Sequence, residues 1–201
     1  MDIVLASGNK GKLKEFKEYI DYNIIPFKEL LGDIEIEENG NSFAQNALIK
    51  AREIYNRLDK KAIVISDDSG ISIDALDGKP GIYSARFAGS NASDKDNLQK
   101  AIDELKRLQL DESKAHYSAA IAIVSPLGEY VMHGWMYGKV ISTPRGDNGF
   151  GYDPIFIPEG FDKTLGELNS DVKKEISHRA KALKLAQPII KMLLKANNDK
   201  R

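Results

Sequence analysis

Four polar clusters in this chain of 201 residues combine side chains that could act together on a phosphorylated substrate. The first, Ser7-Gly8-Asn9-Lys10-Gly11-Lys12, falls between an apolar run and a helical pattern. A helix N-terminus presents unpaired N–H groups, glycines allow close approach and lysines add charge, which is the outline of a phosphate cradle. Only two residues separate the glycines, and Leu13 stands where a Walker A loop carries Ser or Thr, so that loop is excluded. An ordinary strand–helix turn with solvated lysines fits the same residues. The second cluster is Ser66-Asp67-Asp68-Ser69-Gly70, held between two apolar runs. Carboxylates there need a cation or hydrogen-bond donors to offset their desolvation, although an Asp/Ser/Gly turn is also a common structure.

The third cluster, Glu35, Glu37 and Glu38, reads alone as a solvated acidic loop. If it closed on the aspartate pair, oxygen ligands from two loops would suit Mg²⁺ or Mn²⁺, which bind through one or two carboxylates plus substrate phosphates. The fourth joins Gly146-Asp147-Asn148-Gly149-Phe150-Gly151-Tyr152-Asp153 with Ser177-His178-Arg179. Phe150 and Tyr152 could stack on a flat ring, or be tucked into the core by a bend. Asp153 could accept from ring N–H groups, while His178 and Arg179 could donate. The G-x-x-G-x-G order is not the dinucleotide fingerprint.

With no cysteine, thiolate nucleophiles, disulfides and zinc–thiolate sites are excluded. His116, His133 and His178 are scattered, so a nitrogen-ligated metal is not expected. Together the clusters supply a phosphate cradle, hard-metal carboxylates, a stacking platform and ring-edge hydrogen bonders. That inventory fits a metal-bound nucleoside triphosphate attacked by water rather than a covalent intermediate.

The elements that must position these clusters follow from periodicity. Ile3–Ala6 predicts a buried strand, and Leu13, Phe16, Tyr19 and Ile20 form one face of a helix after it. Ile24–Phe27 reads as a short strand, and Asp33–Asn41 as an acidic loop. Ser42 is the expected N-cap of a helix faced by Phe43, Ala47, Ala51, Ile54, Tyr55 and Leu58. Ala62–Ile65 and Ile71–Ala75 read as strands on either side of the aspartates, with loop from Gly78 to Gly89. A helix is expected near 94–110, a hairpin from His116–Ser125 and Gly128–Tyr137, a loop from Pro144 to Gly151, and a strand at Pro154–Ile157. The last helix should run from Ser177 towards Asn197, kinked or cut at Pro188. Interleaved strands and helices with a hairpin make the class α/β with a mixed sheet, and the length suits a single domain.

Apolar residues are 42% and charged residues 29%, an ordinary globular composition. The net charge of −1 hides an asymmetry: residues 173–201 carry nine Lys/Arg against two acids, a net of +7, leaving −8 on the rest. A nucleic-acid partner using the basic end is therefore opposed by an acidic remainder. The opening residues carry no basic leader, and the longest apolar run, Ala119–Val124, is too short to cross a bilayer, so a cytoplasmic protein without membrane attachment is expected.

Six segments in register carry a resemblance: SGNKGK (7–12), EENGNSFAQNALIKA (37–51), SDDSG (66–70), PGIYSARFAG (80–89), GFGYDPIF (149–156) and SHRAKAL (177–183). In this order they resemble the inosine triphosphate pyrophosphatase family, the Ham-type purine NTP diphosphatases, over nearly the whole chain. The resemblance implies an elongated mixed sheet with flanking helices, in two lobes of one domain with a nucleotide cleft. It also implies a homodimer and Mg²⁺-dependent hydrolysis of ITP, dITP and XTP to monophosphate and pyrophosphate. By the same resemblance Ser7, Gly8, Asn9, Lys10, Gly11 and Lys12 hold the triphosphate. Asp68 is implied as proton acceptor and metal ligand, Ser69 as a substrate contact, and Glu37 as the second metal ligand with Glu38 as its alternative. Phe150, Gly151, Tyr152 and Asp153 match the base pocket, closed by Lys173 (rather than Lys174), His178 and Arg179. The neighbouring possibilities are a pyrophosphatase of modified pyrimidine triphosphates and a nucleotide-binding regulator that does not hydrolyse.

Overall fold

A computed structural model describes residues 2–198; the side chains of Lys10, Asn197 and Asn198, and all of Asp199, Lys200 and Arg201, lie outside that description. The chain runs β1 (Ile3–Leu5), α1 (Lys10–Tyr19), β2 (Ile24–Pro26), α2 (Phe27–Leu31), α3 (Phe43–Arg57) and β3 (Ile63–Ile73). After β3 come α4 (Asp94–Arg107), β4 (Glu112–Ser125), β5 (Gly128–Ile141), β6 (Phe156–Pro158), α5 (Ser170–Ile176) and α6 (His178–Asn198). Among the described residues the strands form one mixed sheet in the order β2-β1-β3-β4-β5-β6. β1 pairs in parallel with both β2 and β3, and β5 pairs antiparallel with β6.

The chain divides into two compact units. The first draws on Met1–Asp68, Ala119–Gly134 and Arg179–Arg201, the second on Ser69–Ser118 and Trp135–His178. In the first unit β1, the Ile63–Ile65 part of β3 and the Ala119–Val124 part of β4 are buried on both faces, which is why they read as continuous apolar runs. Because successive strand side chains point to opposite faces, Ile3, Leu5, Ile63, Ile65, Ile121 and Ile123 pack with Phe16 of α1, with Ile20 just after it, and with Leu183, Ala186 and Ile190 of α6. The alternate set, Val4, Val64, Ala120 and Ala122, packs with Ala47, Ala51 and Ile54 of α3. The second unit instead packs Ile71, Ile73, Ala115, Tyr117, Met136 and Val140 with Ala101, Ile102 and Leu105 of α4. Its alternation of buried and exposed residues is that of an antiparallel sheet with one wet face.

Caps fix where the helices start. Asn9, Ser42, Ser93 and Asn169 each accept a hydrogen bond from a first-turn N–H of α1, α3, α4 and α5, and Ser93 forms a full capping box with Asp96.

Three expectations are corrected and one helix is added. The aspartate segment is not a turn between two strands, since β3 runs unbroken from Ile63 to Ile73 through it. Phe27 opens α2 instead of ending a strand, and its ring enters the core. The segment before Ser177 forms α5, whose seven residues are too few for hydrophobic periodicity to reveal. Pro188 does not cut α6, which continues to Asn198. Pro188 is exposed, so the carbonyl one turn back that loses its N–H partner can be solvated.

Candidate functional site

The first unit gathers one group of charges around the middle of β3. Strand alternation explains its geometry. Asp67 points to the same face as Ile63 and Ile65, towards α1 and α6, while Asp68 shares the face of Val64 and Ser66, towards α3. On the α1/α6 face, Lys12 Nζ lies 2.5 Å from Asp67 Oδ2, and Arg179 Nε lies 3.4 Å from the same oxygen. Arg179 is also hydrogen-bonded and ion-paired to Glu15 of α1. On the α3 face, Ser66 Oγ donates to the Ala47 carbonyl at 2.5 Å, which seats the helix against the strand. One turn along, Lys50 Nζ lies 2.8 Å from Glu38 Oε2 and 3.5 Å from Asp68 Oδ1.

These two neighbouring carboxyls are driven in opposite directions. Burial alone would raise Asp67, but Arg179 and Lys12 outweigh it and hold the acid well below the ordinary carboxylate range. For Asp68 burial prevails over Lys50 and Lys12, and its affinity for a proton is raised. Lys50 would be lowered by burial, yet Asp68 and Glu38 raise it and keep it an ammonium. Asp67 is thus a fixed anion that ties the first turn of α1 to the start of α6, whereas Asp68 is the more basic of the pair.

The cradle is partly prepared. Asn9 N–H donates to Ser7 Oγ at 3.2 Å, Asn9 Oδ1 accepts from Lys12 N–H at 3.0 Å, and Gly8 and Asn9 are exposed at the helix N-terminus. The Lys10 side chain lies outside the described residues.

Asp68 Oδ2 is buried and makes no hydrogen bond. An unbonded carboxylate oxygen is a fitting ligand for a hard cation, whose charge would compete with the Lys50 ammonium for Asp68. Among the described residues no group of three acidic or histidine side chains is disposed to hold a metal. Glu38, half-buried, is joined to Asp68 through Lys50, while Glu37 is exposed.

The second unit organises the glycine-rich loop around Asp153. This buried carboxylate accepts the Phe150 N–H at 2.9 Å and Lys173 Nζ at 2.5 Å on one oxygen, and the Lys173 ammonium sits 4.7 Å from the Phe150 ring centroid. Gly149, at φ +81°, is required twice over, because a Cβ there would overlap the Asp153 carboxylate. Tyr152 is 5% exposed, packs in the core and donates its phenol to the Ser84 carbonyl at 2.7 Å. Of the two loop aromatics, then, Phe150 is the half-exposed one and Tyr152 anchors the loop from beneath. Gly151 sits between them at φ +62°. His178 stacks flat on Tyr117. Ser69, the next residue of β3 after Asp68, is half-buried.

The Ham1 family profile matches residues 3–189. The chain belongs to the Ham1 family. A relative from Sulfurovum sp. (strain NBC37-1) named dITP/XTP pyrophosphatase is 63% identical across 96% of this chain and 95% of its own length. One of the same name from Nautilia profundicola is 56% identical over 96% and 99%. Among solved structures, the Staphylococcus aureus Ham1 protein superposes with a TM-score of 0.84 at 39% identity, covering 95% of this chain and 98% of that one. A Ham1 protein from Coxiella burnetii gives 0.83 at 36% identity, covering 96% and 99%. The mixed sheet with flanking helices is therefore the Ham1 fold.

Sequence reasoning overlooked Lys50, Asp67 as an organising anion, Glu15, Ser84 and Tyr117. Lys50 carried a readable signal, being a lysine one turn from Ala47 and Ile54 on the apolar face of α3. Asp67 and Glu15 carried none, because their roles depend on α1 and α6 packing on one face of β3.

Proposed function

We propose that this Ham1-family chain is a dITP/XTP pyrophosphatase, hydrolysing deaminated purine nucleoside triphosphates (ITP, dITP, XTP) to the monophosphate and pyrophosphate. The observation that carries this reading is Asp68, buried on β3 with one oxygen unbonded and the Lys50 ammonium 3.5 Å from the other. The names of the relatives, matched along nearly their full lengths, supply the substrate class.

Ser7, the exposed Gly8 and Asn9, and the first turn of α1 with Lys12 would receive the triphosphate, as helix N-termini bind phosphate. Lys12 is itself anchored by Asp67, so its ammonium is oriented before substrate arrives. Asp68 would take a proton from the attacking water as the water oxygen joins a phosphorus of the α–β anhydride. The bridging bond breaks, which releases the monophosphate and pyrophosphate. Lys50 would stand beside the transferred proton and the developing negative charge. Mg²⁺, or Mn²⁺ in its place, would be held by Asp68 with Glu37 or Glu38 and the phosphates, and would supply charge neutralisation. Phe150 offers a face to the base, with Asp153 and Lys173 fixing its loop, and His178 would donate towards the 6-oxo group that distinguishes hypoxanthine and xanthine from adenine. Arg179, buried between Asp67 and Glu15, supports the triphosphate side through those anions. We also propose a homodimer in the cytoplasm; the open sheet face of the second unit, where Trp135 and Tyr137 are exposed, is a surface a second copy could cover.

Incubating the purified chain with each common and deaminated triphosphate and Mg²⁺, followed by product identification, tests the reading. IMP and pyrophosphate from ITP, with ATP and GTP poor substrates, is the expected result. IDP and phosphate, preference for a pyrimidine triphosphate, or binding without turnover would overturn it.

A further inference from the structure

We propose that Tyr117 is a positioning residue for base recognition, acting by setting the plane of the His178 imidazole. The inference rests on the reading of His178 as the donor to the 6-oxo group. The two rings lie with centroids 4.7 Å apart and planes 7° from parallel. Tyr117 is in turn held by Phe156, edge-on at 4.8 Å and 60°. Tyr117, Phe156 and His178 are all buried, so the stack is fixed from behind by β6 and the core. β4 alternation places it there: Tyr117 shares the inward face of Ala115, while His116 between them turns outward towards Tyr137.

The stack has work to do because of the torsion it controls. An imidazole turns about an sp³–sp² bond whose energy wells are broad, so backbone and rotamer preference leave the ring plane loosely set. A hydrogen bond from a ring N–H, however, weakens steeply once it bends far from linear. A flat aromatic surface against one face of His178 removes that freedom before substrate binds. Both ring nitrogens are then confined to a plane parallel to the tyrosine. Discrimination between an oxo and an amino group is a matter of one donor meeting an acceptor or another donor, so it should depend on this alignment more than on ring burial as such. His178 opens α6 directly after Ser177, the C-cap residue of α5. The backbone at the junction therefore places the ring, and Tyr117 orients it.

The test is steady-state kinetics of the full chain on ITP and ATP with Mg²⁺, using Tyr117→Leu, Tyr117→Phe, His178→Ala and the double variant Tyr117→Leu/His178→Ala. Tyr117→Leu should raise KM for ITP about tenfold, the scale of one aromatic stack, with kcat within about twofold. The ATP value of kcat/KM should stay nearly constant, so the ITP:ATP ratio falls with KM. Tyr117→Phe keeps the ring and should restore the ratio to within about twofold of the parent. In the His178→Ala background Tyr117→Leu should change the ratio no further, because the residue acts through the imidazole. The inference is overturned if His178→Ala lowers the ratio while Tyr117→Leu does not, or if the effects of the two changes simply add. A ratio unaffected by His178→Ala removes the reading of His178 and this inference with it, an outcome distinct from the first two. Should Tyr117→Leu fail to fold, Tyr117→Met, which fills the site with a flexible chain, carries the same comparison.

Discussion

Asp67 and Asp68 differ by one position and by nearly everything a carboxylate can be. One strand places them on opposite faces, so Asp67 meets Lys12 and Arg179 while Asp68 meets Lys50. The first is held ionised and the second made more basic. Asp68→Asn keeps the shape and removes the proton acceptor. Turnover of ITP should drop by roughly 10²–10⁴-fold, the usual contribution of a general base, while calorimetry still shows nucleotide binding. Pyrophosphate release near the parent rate would remove Asp68 from the proposed mechanism. The residue types of this pair were legible in the chain, but their division of labour was not, because Lys50 is 18 positions and Arg179 more than 100 positions away in sequence.

At the scale of elements, β3 decides the most. A run of Ser-Asp-Asp-Ser-Gly invites a turn, yet the strand carries it through, since Ser66 caps a contact to α3, Asp67 and Asp68 find cations, and Gly70 admits another segment. A Cβ at Gly70 would overlap the Gly81 carbonyl and Ser84 Oγ. Ser84 Oγ there donates to the Gly81 carbonyl at 2.6 Å and accepts the Ile71 N–H at 2.9 Å, and the Ser84 carbonyl receives the Tyr152 phenol. The segment 80–89 thus links β3 to the floor of the glycine-rich loop, which gives that motif a purpose its residue types did not disclose. Gly70→Ala should lower stability by about 1–3 kcal/mol, as overpacking does, seen as an earlier midpoint in urea. It should also raise KM for ITP by loosening Tyr152. An unchanged midpoint would mean that the 80–89 segment yields without cost.

For the whole molecule, stability and the candidate site draw on the same buried charges. Asp67 is fully buried and lowered by Arg179 and Lys12, so ionised Asp67 favours the folded state. Its contribution is complete above the unfolded carboxylate pKa of about 4 and is lost as pH falls through the lower native value. Asp67→Asn should cost about 3–5 kcal/mol at pH 7 in metal-free protein, because Arg179 and Lys12 lose a buried partner. Urea unfolding of parent and variant across pH checks this. The gap should be flat from pH 8 to about 5, narrow below about 4, and close only at still lower pH. A gap that closes between pH 8 and 6 would assign the effect to another group.

The sequence by itself determined the α/β class, the Ser42 helix cap, the apolar strand segments and the polar clusters beside them, since each of these is written in local residue order and periodicity. It also carried the family resemblance, through six motifs in register. Only the tertiary structure decided that β3 runs straight through its aspartates, that Lys50 joins Glu38 to Asp68, that Tyr152 is an anchor beneath its loop, and that Tyr117 backs His178. These depend on which faces of distant elements are packed together. The free energy of a buried charge or ring is set by neighbours in space, and those neighbours exist only once the sheet and its helices have closed around them.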